Sequence, residues 1–379
     1  MQRIYFDNAA TTAIDPEVVK VMTDAMLKIS GNPASTHQSG RKARVLLETS
    51  RKEIASLLNC SSGEIIFTSG GSEADNLILY NAVSNLGVER IISSGIEHPA
   101  VLNTIKKLTD QHKVKVEYVN LEPDGSIDYD HLEELLKSSG KKTMISLMLV
   151  NNETGNILDA AKVSGLCKEH SALFHSDTVQ YVAHLPVDLQ KIPIDFLVAS
   201  AHKFHGPKGV GFAYFKKGFG IKPMITGGDQ EKGARAGTEN IHSIAGMAKA
   251  LRIAFDRMEK DQKHLKMLKE YFVSELKTKV PDIKFNGASA DNEKSVHHIL
   301  NVRFPKEIPM MLFNLDLKGI EASGGSACQS GSNKGSHVLN RILDSDESKK
   351  TSVRFSFSKY NTKEEIDKVI EVLTEILNR

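Results

Sequence analysis

The sequence predicts an α/β protein in which a large domain, built on a mostly parallel seven-stranded sheet flanked by helices, is joined to a smaller α+β domain. Three observations predict it. From about residue 40 to 215, short β-rich runs alternate with helical periodicity, the pattern of parallel strands connected by crossover helices. These runs are mostly continuous in apolar character, as strands covered on both faces are. After residue 240 a long polar-rich helical stretch intervenes, and the strands and helices beyond it read as α+β.

In chain order, the strands of the large domain are expected at 65–68, 90–93, 114–119, 144–150, 172–176, 196–199 and 210–215. Between them lie helices such as 41–58, where Ala43, Leu46 and Leu47, then Ile54, Leu57 and Leu58, recur at three- and four-residue spacings. The helical stretch 243–279 is long enough to link two lobes, and the boundary falls inside it. Further strands follow at 298–304, 320–322 and 352–357. In the final helix Thr362 and Glu365 make a capping-box pattern, and Ile366, Val369, Ile370, Leu373, Ile376 and Leu377 form one apolar stripe. The expected division is 14–256 for the large domain, with 1–13 and 257–379 forming the small one.

The 379 residues are 40% hydrophobic and 25% charged, which excludes disordered, fibrous and disulfide-scaffold classes. With 49 Lys+Arg against 47 Asp+Glu, the net charge of +2 offers no footprint for nucleic acid or a membrane surface. The longest apolar run, 144–150, falls far short of the ~20 residues a spanning helix needs. The cysteines, Cys60, Cys167 and Cys328, contain no CxxC pair, so no zinc or redox motif is expected and a reducing cytoplasm fits. No basic segment followed by an apolar stretch opens the chain, so no targeting signal is expected.

Several positions could carry chemistry. Thr68-Ser69-Gly70-Gly71-Ser72-Glu73 puts paired glycines and a hydroxyl between a strand and a helix, where backbone N–H groups and the helix dipole favour phosphate. By itself it reads rather as a tight turn with Ser72 as helix N-cap. Lys203 follows an apolar strand, where ligands of α/β sheets bind and where desolvation makes an amine nucleophilic enough for a Schiff base. Alone it is a surface lysine in a Gly/Pro turn. Asp177 reaches the same sheet edge, and an ionised Asp there could hold the pyridinium N–H of pyridoxal phosphate, or simply cap a turn. Cys328 lies in a Gly/Ser-rich stretch that predicts an exposed thiol, whereas Cys60 and Cys167 read as inert packing residues. Arg354, on the strand face opposite Val353, Phe355 and Phe357, could fork onto a carboxylate or be solvated. His98, before Pro99, could be an acid–base or ring-stacking group, or structural.

These residues, with Asp7-Asn8-Ala9-Ala10-Thr11-Thr12, Gly31-Asn32-Pro33, Glu97-His98, Asn151-Asn152-Glu153-Thr154-Gly155, Asp177-Thr178-Val179-Gln180, Ser200-Ala201-His202-Lys203, Arg235-Ala236-Gly237-Thr238, Gly325-Ser326-Ala327-Cys328 and Arg354-Phe355-Ser356, resemble the cysteine desulfurases of the NifS/IscS-like group. That group belongs to the class V aminotransferases among fold-type I pyridoxal-phosphate enzymes. The resemblance implies conversion of L-cysteine to L-alanine with pyridoxal 5′-phosphate as cofactor, sulfur passing to Cys328 as a persulfide. It implies Lys203 as the lysine joined to the cofactor, Asp177 at the ring nitrogen, Asn152 and Gln180 on the hydroxyl side, and His98 stacked on the ring as proton carrier. Gly71, Ser72, Ser200 and His202 would hold the phosphate, with Thr238 reaching across from the partner of a homodimer. Arg354, with Asn152, would bind the substrate, and Cys328 would accept its sulfur.

Gly71-Ser72 stands where the family often has Ala-Thr, a change that keeps the backbone donors and a hydroxyl. The Gly-Ser-Ala-Cys loop resembles the group serving iron–sulfur cluster assembly and tRNA thiolation. A sulfur-acceptor or scaffold protein is the implied partner, with no direct nucleic-acid or membrane contact. No permanent metal is expected, although a transient iron–sulfur cluster at Cys328 is compatible with such a loop. The alternatives are a selenocysteine lyase or another class V aminotransferase.

Overall fold

The computed structural model describes residues 3–138, 140–324 and 335–377. Strand β1 (Ile4–Tyr5) and helices α1 (Pro16–Lys28) and α2 (Gln38–Leu58) lead into β2 (Ile65–Thr68) and α3 (Gly71–Ser84). There follow β3 (Arg90–Ser93), α4 (Pro99–His112), β4 (Lys115–Tyr118), α5 (Tyr129–Lys137), β5 (Thr143–Ser146) and α6 (Ala160–Glu169). Next come β6 (Leu173–Asp177), β7 (Phe196–Ser200), β8 (Gly211–Phe215) and the long helix α7 (Ile241–Lys279). The chain continues through β9 (Lys284–Phe285), β10 (Ile299–Arg303), α8 (Met311–Leu317), β11 (Ile320–Glu321), α9 (Leu339–Ile342), β12 (Ser352–Ser356) and α10 (Lys363–Leu377).

All seven expected strands of the large unit join one sheet in the order β2-β8-β7-β6-β5-β3-β4. Strand β8 is antiparallel to both neighbours and the other pairings are parallel. Successive residues serve opposite faces. Ile65 and Phe67 pack with α2 and α7, while Ile66 packs with α3. Two strands depart from expectation. The edge strand β4 is exposed or half-exposed throughout, unlike β2 at the opposite edge, which is buried. The run 144–150 leaves the regular strand after Ser146, although Leu147 and Leu149 still donate to His175 O and Asp177 O at 3.2 Å.

Beyond α7, β10 is flanked antiparallel by β12 and β9. The expected strand at 320–322 pairs instead with β1, so the N-terminal segment is tied to the C-terminal part of the chain. Phe6, Phe272, Phe355 and Phe357 meet at ring-centroid distances of 5.1–6.4 Å in a core of their own. We propose 13/14 and 256/257 as the division between the two units. The capping box of the last helix is present: Thr362 N–H donates to Glu365 Oε2 at 3.1 Å, and Glu365 N–H to Thr362 Oγ1 at 3.4 Å.

Candidate active site

The sheet assembles the site. Because β8 runs back between β2 and β7, those two strands end at one edge, with Thr68 and Ser200 both paired to Gly211. A Cβ on Gly211 would lie 2.4 Å from Ala199 O and 2.8 Å from Gly70 Cα, so only glycine lets the turn after β2 close on the end of β7. Asp177 ends β6 opposite Val198 and reaches the same edge. Parallel strands deliver their C-terminal ends together, the usual ligand edge of such sheets.

A cleft of about 230 Å³ opens there. Gly71, Ser72 and Ser200 form one end of its lining, with His202 and Lys203 on the turn after β7. Asp177, Gln180, His98, Asn152 and Arg354 complete the set of expected residues that meet in it. Thr238 is exposed in this chain and is absent from the cleft lining. Cys328 lies outside the described residues.

Gly70 holds the N-cap position of α3 at φ 153°, a conformation reserved for glycine, so Ser72 is not the cap but lies in the first helical turn. Asp177 Oδ1 accepts the Val179 N–H at 3.0 Å. Lys203 Nζ donates to Ala9 O at 2.7 Å and Ala10 O at 2.8 Å, while Gln180 Nε2 donates to Ala9 O at 2.8 Å, so the segment after β1 forms part of the site. His98 caps α4, its Nδ1 accepting the Ala100 N–H at 3.1 Å, which leaves Nε2 to carry the ring proton. Burial lowers the His98 pKa, opposed by Asp177 and reinforced by Lys203. Burial, Lys203 and Lys208 together press His202 down to about 4, so its imidazole is neutral.

Arg354 is 2% exposed, not solvated. Its Nη1 donates to Asn152 O at 2.8 Å and its Nη2 to Asp7 Oδ1 at 2.9 Å. Three polar atoms of the cleft, Arg354 Nε, Asn152 Oδ1 and Asp75 Oδ1, are buried without a hydrogen-bond partner among the described residues. Sequence reasoning missed Asp75 and Glu97 as parts of this environment. Asp75, on α3, lines the cleft with its Oδ1 at 3.4 Å from His175 Nε2. Burial, with Asp177 and Glu97 nearby, drives the Asp75 carboxyl well above its ordinary range. Only the contrast between a charged side chain and the apolar neighbours Ala74, Leu77 and Ile78 hinted that Asp75 is buried.

The residues present fit pyridoxal phosphate. Gly-Gly turn donors at a helix N-terminus suit its phosphate, the strand-end carboxylate suits its ring N–H, the amine suits its aldehyde, and the orphaned Asn152 amide supplies an unmet polar partner. Among the described residues, no group of His, Cys, Asp and Glu could hold a metal ion, and no helix is long and apolar enough to cross a membrane. Cys60 and Cys167 match the inert packing role: burial pushes the Cys60 thiol up to about 12 and raises that of Cys167 further.

Residues 4–369 match the family model described as aminotransferase class-V. The cysteine desulfurase IscS of Dictyoglomus turgidum is 38% identical over 381 residues, covering 100% of this chain and 95% of that protein. A solved structure of a NifS-like protein superimposes with a TM-score of 0.91 at 35% identity, covering 100% of both chains. A structure of SspA in complex with cysteine does so with a TM-score of 0.82 at 29% identity, covering 94% of this chain and 99% of that one.

Proposed function

The chain belongs to the aminotransferase class-V family and is a cysteine desulfurase, and from that premise we propose that it uses pyridoxal 5′-phosphate and passes the sulfur of L-cysteine to Cys328. The observation that carries the reading is the convergence of Lys203, Asp177 and the Gly71-Ser72 turn on one cleft. When bound, the cofactor supplies an electron sink for charge developing at the substrate α-carbon. The relatives described above give no support to the selenocysteine lyase or general aminotransferase alternatives.

Each residue has a distinct task. Arg354, already oriented by Asn152 O and Asp7, takes the substrate carboxylate with the N–H donors those two bonds leave over, Nε among them. Asn152 and Gln180 would hold the cofactor from the side of its ring hydroxyl. Asp177, fixed by the Val179 N–H, holds the ring N–H. Lys203 Nζ takes the α-proton and gives a proton back to the α-carbon before alanine leaves. The Cys328 thiolate attacks the substrate sulfur. A sulfur–sulfur bond forms, the carbon–sulfur bond breaks with its electron pair left on the β-carbon, and His98 Nε2 delivers a proton there. The products are L-alanine and a persulfide on Cys328, with no external oxidant or reductant. Gly71, Ser72, Ser200 and His202 hold the phosphate, and Thr238, exposed in one chain, completes the site of the partner in a homodimer. The persulfide then serves an acceptor protein of iron–sulfur cluster assembly or tRNA thiolation in the cytoplasm.

The test is production of sulfide and alanine from L-cysteine by cofactor-loaded protein with a reductant, beside Cys328→Ala. Equal amounts of both products, lost in the variant while cofactor absorbance persists, are expected. Unimpaired sulfur release by Cys328→Ala would sink the assignment.

A further inference from the structure

Two ion pairs lie behind the phosphate turn, and the reaction described above assigns them no role. Glu73 is the third residue of α3, directly after Ser72. Its Oε2 accepts the Ser69 N–H at 2.8 Å and its Oε1 accepts Arg235 Nε at 2.9 Å. Glu73 is 11% exposed and Arg235 24%. Burial alone would raise the Glu73 carboxyl, yet the bonds from Arg235 and Ser69 outweigh it and hold the group below its ordinary value. Glu73 is therefore a fixed negative charge. In a bare helix such a charge complements the dipole, but beside a phosphate it competes for the same positive end and repels the anion.

The segment carrying Arg235 is itself anchored to β2. Glu231 is buried at φ 48°, a left-handed conformation uncommon outside glycine. Its carboxylate accepts Arg51 Nη1 and Nη2, each at 2.7 Å, and the Phe67 N–H at 2.9 Å. Arg51 Nη1 also donates to Ile65 O at 2.8 Å, and its guanidinium lies 4.4 Å from the Phe67 ring centroid. The N–H groups of Phe67 and Ser69, which bracket the end of β2, are thus both held by carboxylates paired with arginine. This framework fixes where Arg235 stands relative to Glu73.

We propose that Arg235 is a positioning residue of the phosphate subsite: it cancels the charge of Glu73 and keeps that carboxylate on the Ser69 N–H, so that the turn presents Gly71 and Ser72 to an anion. The inference rests on the proposed assignment of this turn to the cofactor phosphate.

Absorbance titration of cofactor-stripped, full-length protein with pyridoxal phosphate, and separately with pyridoxal, which lacks the phosphate, tests it. Arg235→Gln weakens pyridoxal phosphate binding about tenfold or more and changes pyridoxal binding less than about twofold. Arg235→Gln combined with Glu73→Gln recovers most of the loss, because the charge that needed cancelling is gone. Equal losses for both ligands, or a double variant no better than the single one, overturn the inference by making Arg235 merely structural. If Arg235→Gln fails to fold, Glu73→Gln alone decides: pyridoxal phosphate binding strengthens with pyridoxal unchanged, and weakening overturns the inference. Wild-type protein that binds the two ligands equally would instead overturn the phosphate assignment beneath it.

Discussion

Arg354 Nη2 lies 2.9 Å from Asp7 Oδ1, which ties the arginine of β12 to the segment after β1 before any substrate arrives. The guanidinium is therefore aimed in advance, and only a planar fork can reach Asn152 O and Asp7 at once. Arg354→Lys keeps the charge but loses the fork. Its KM for L-cysteine rises about tenfold or more while kcat falls less, because a carboxylate contact is made in ground and transition state alike. Steady-state kinetics check this, and an unchanged KM would move the substrate carboxylate elsewhere in the cleft.

Asp177→Asn separates cofactor binding from electronic activation. The side-chain oxygen that accepts the Val179 N–H at 3.0 Å has a counterpart in asparagine, so the local turn survives. The negative charge does not. Absorbance shows the cofactor still bound, and alanine formation falls about a hundredfold or more. Retention of full activity would remove Asp177 from its place at the ring nitrogen.

Much of this was legible in the sequence, and for identifiable reasons. The inner strands of the large sheet announced themselves because buried strands are mostly continuously apolar, and the last helix because Thr362 and Glu365 fall at capping-box spacing. Strands β1 and β9, two residues each, are too short to show any period. Lys203, Asp177 and Ser72 stood out because they lie at or just past strand ends; the antiparallel return of β8 brings the ends of β2 and β7 together, and the parallel pairing of β6 with β7 adds Asp177. Arg354–Asp7 and Arg235–Glu73 join residues far apart in the chain, so no local pattern carries them. Asp75 was hidden for the opposite reason: on a helix, a carboxylate facing a buried cleft is spaced like one facing water.

Glu97 makes the protein less stable as pH rises. Burial is the main cause that lifts its carboxyl from 4.5 to about 8, against the lowering bonds from Ser94 Oγ and Met148 N–H, with Asp177 raising it further. The folded pKa exceeds the unfolded one, so the folded state holds the proton more tightly. The stabilisation is complete below about 4.5 and is lost as pH climbs through about 8. Glu97→Gln removes that dependence while keeping groups able to bond Ser94 and Met148. The melting temperature of wild type minus that of Glu97→Gln is therefore larger at pH 5 than at pH 8.5, and a difference that does not change with pH would show that Glu97 stays ionised.

Lys269 acts in the opposite direction. Its ammonium stem is fully buried on α7, with Nζ donating to Ser295 Oγ at 2.7 Å and Val296 O at 2.9 Å. Burial lowers its pKa from 10.5 to about 7, with Asp291 opposing. Here the folded state binds the proton less tightly than the unfolded chain, so the stabilisation is present above about 10.5 and is lost as pH falls through about 7. Lys269→Met cannot titrate, and it leaves Val296 O without its donor, at a cost of about 1–2 kcal/mol. That cost is the same at every pH, whereas the lysine contribution is not. Wild type therefore exceeds Lys269→Met in melting temperature by more at pH 9 than at pH 6, and equal differences at the two values would mean that the buried amine remains charged across the range.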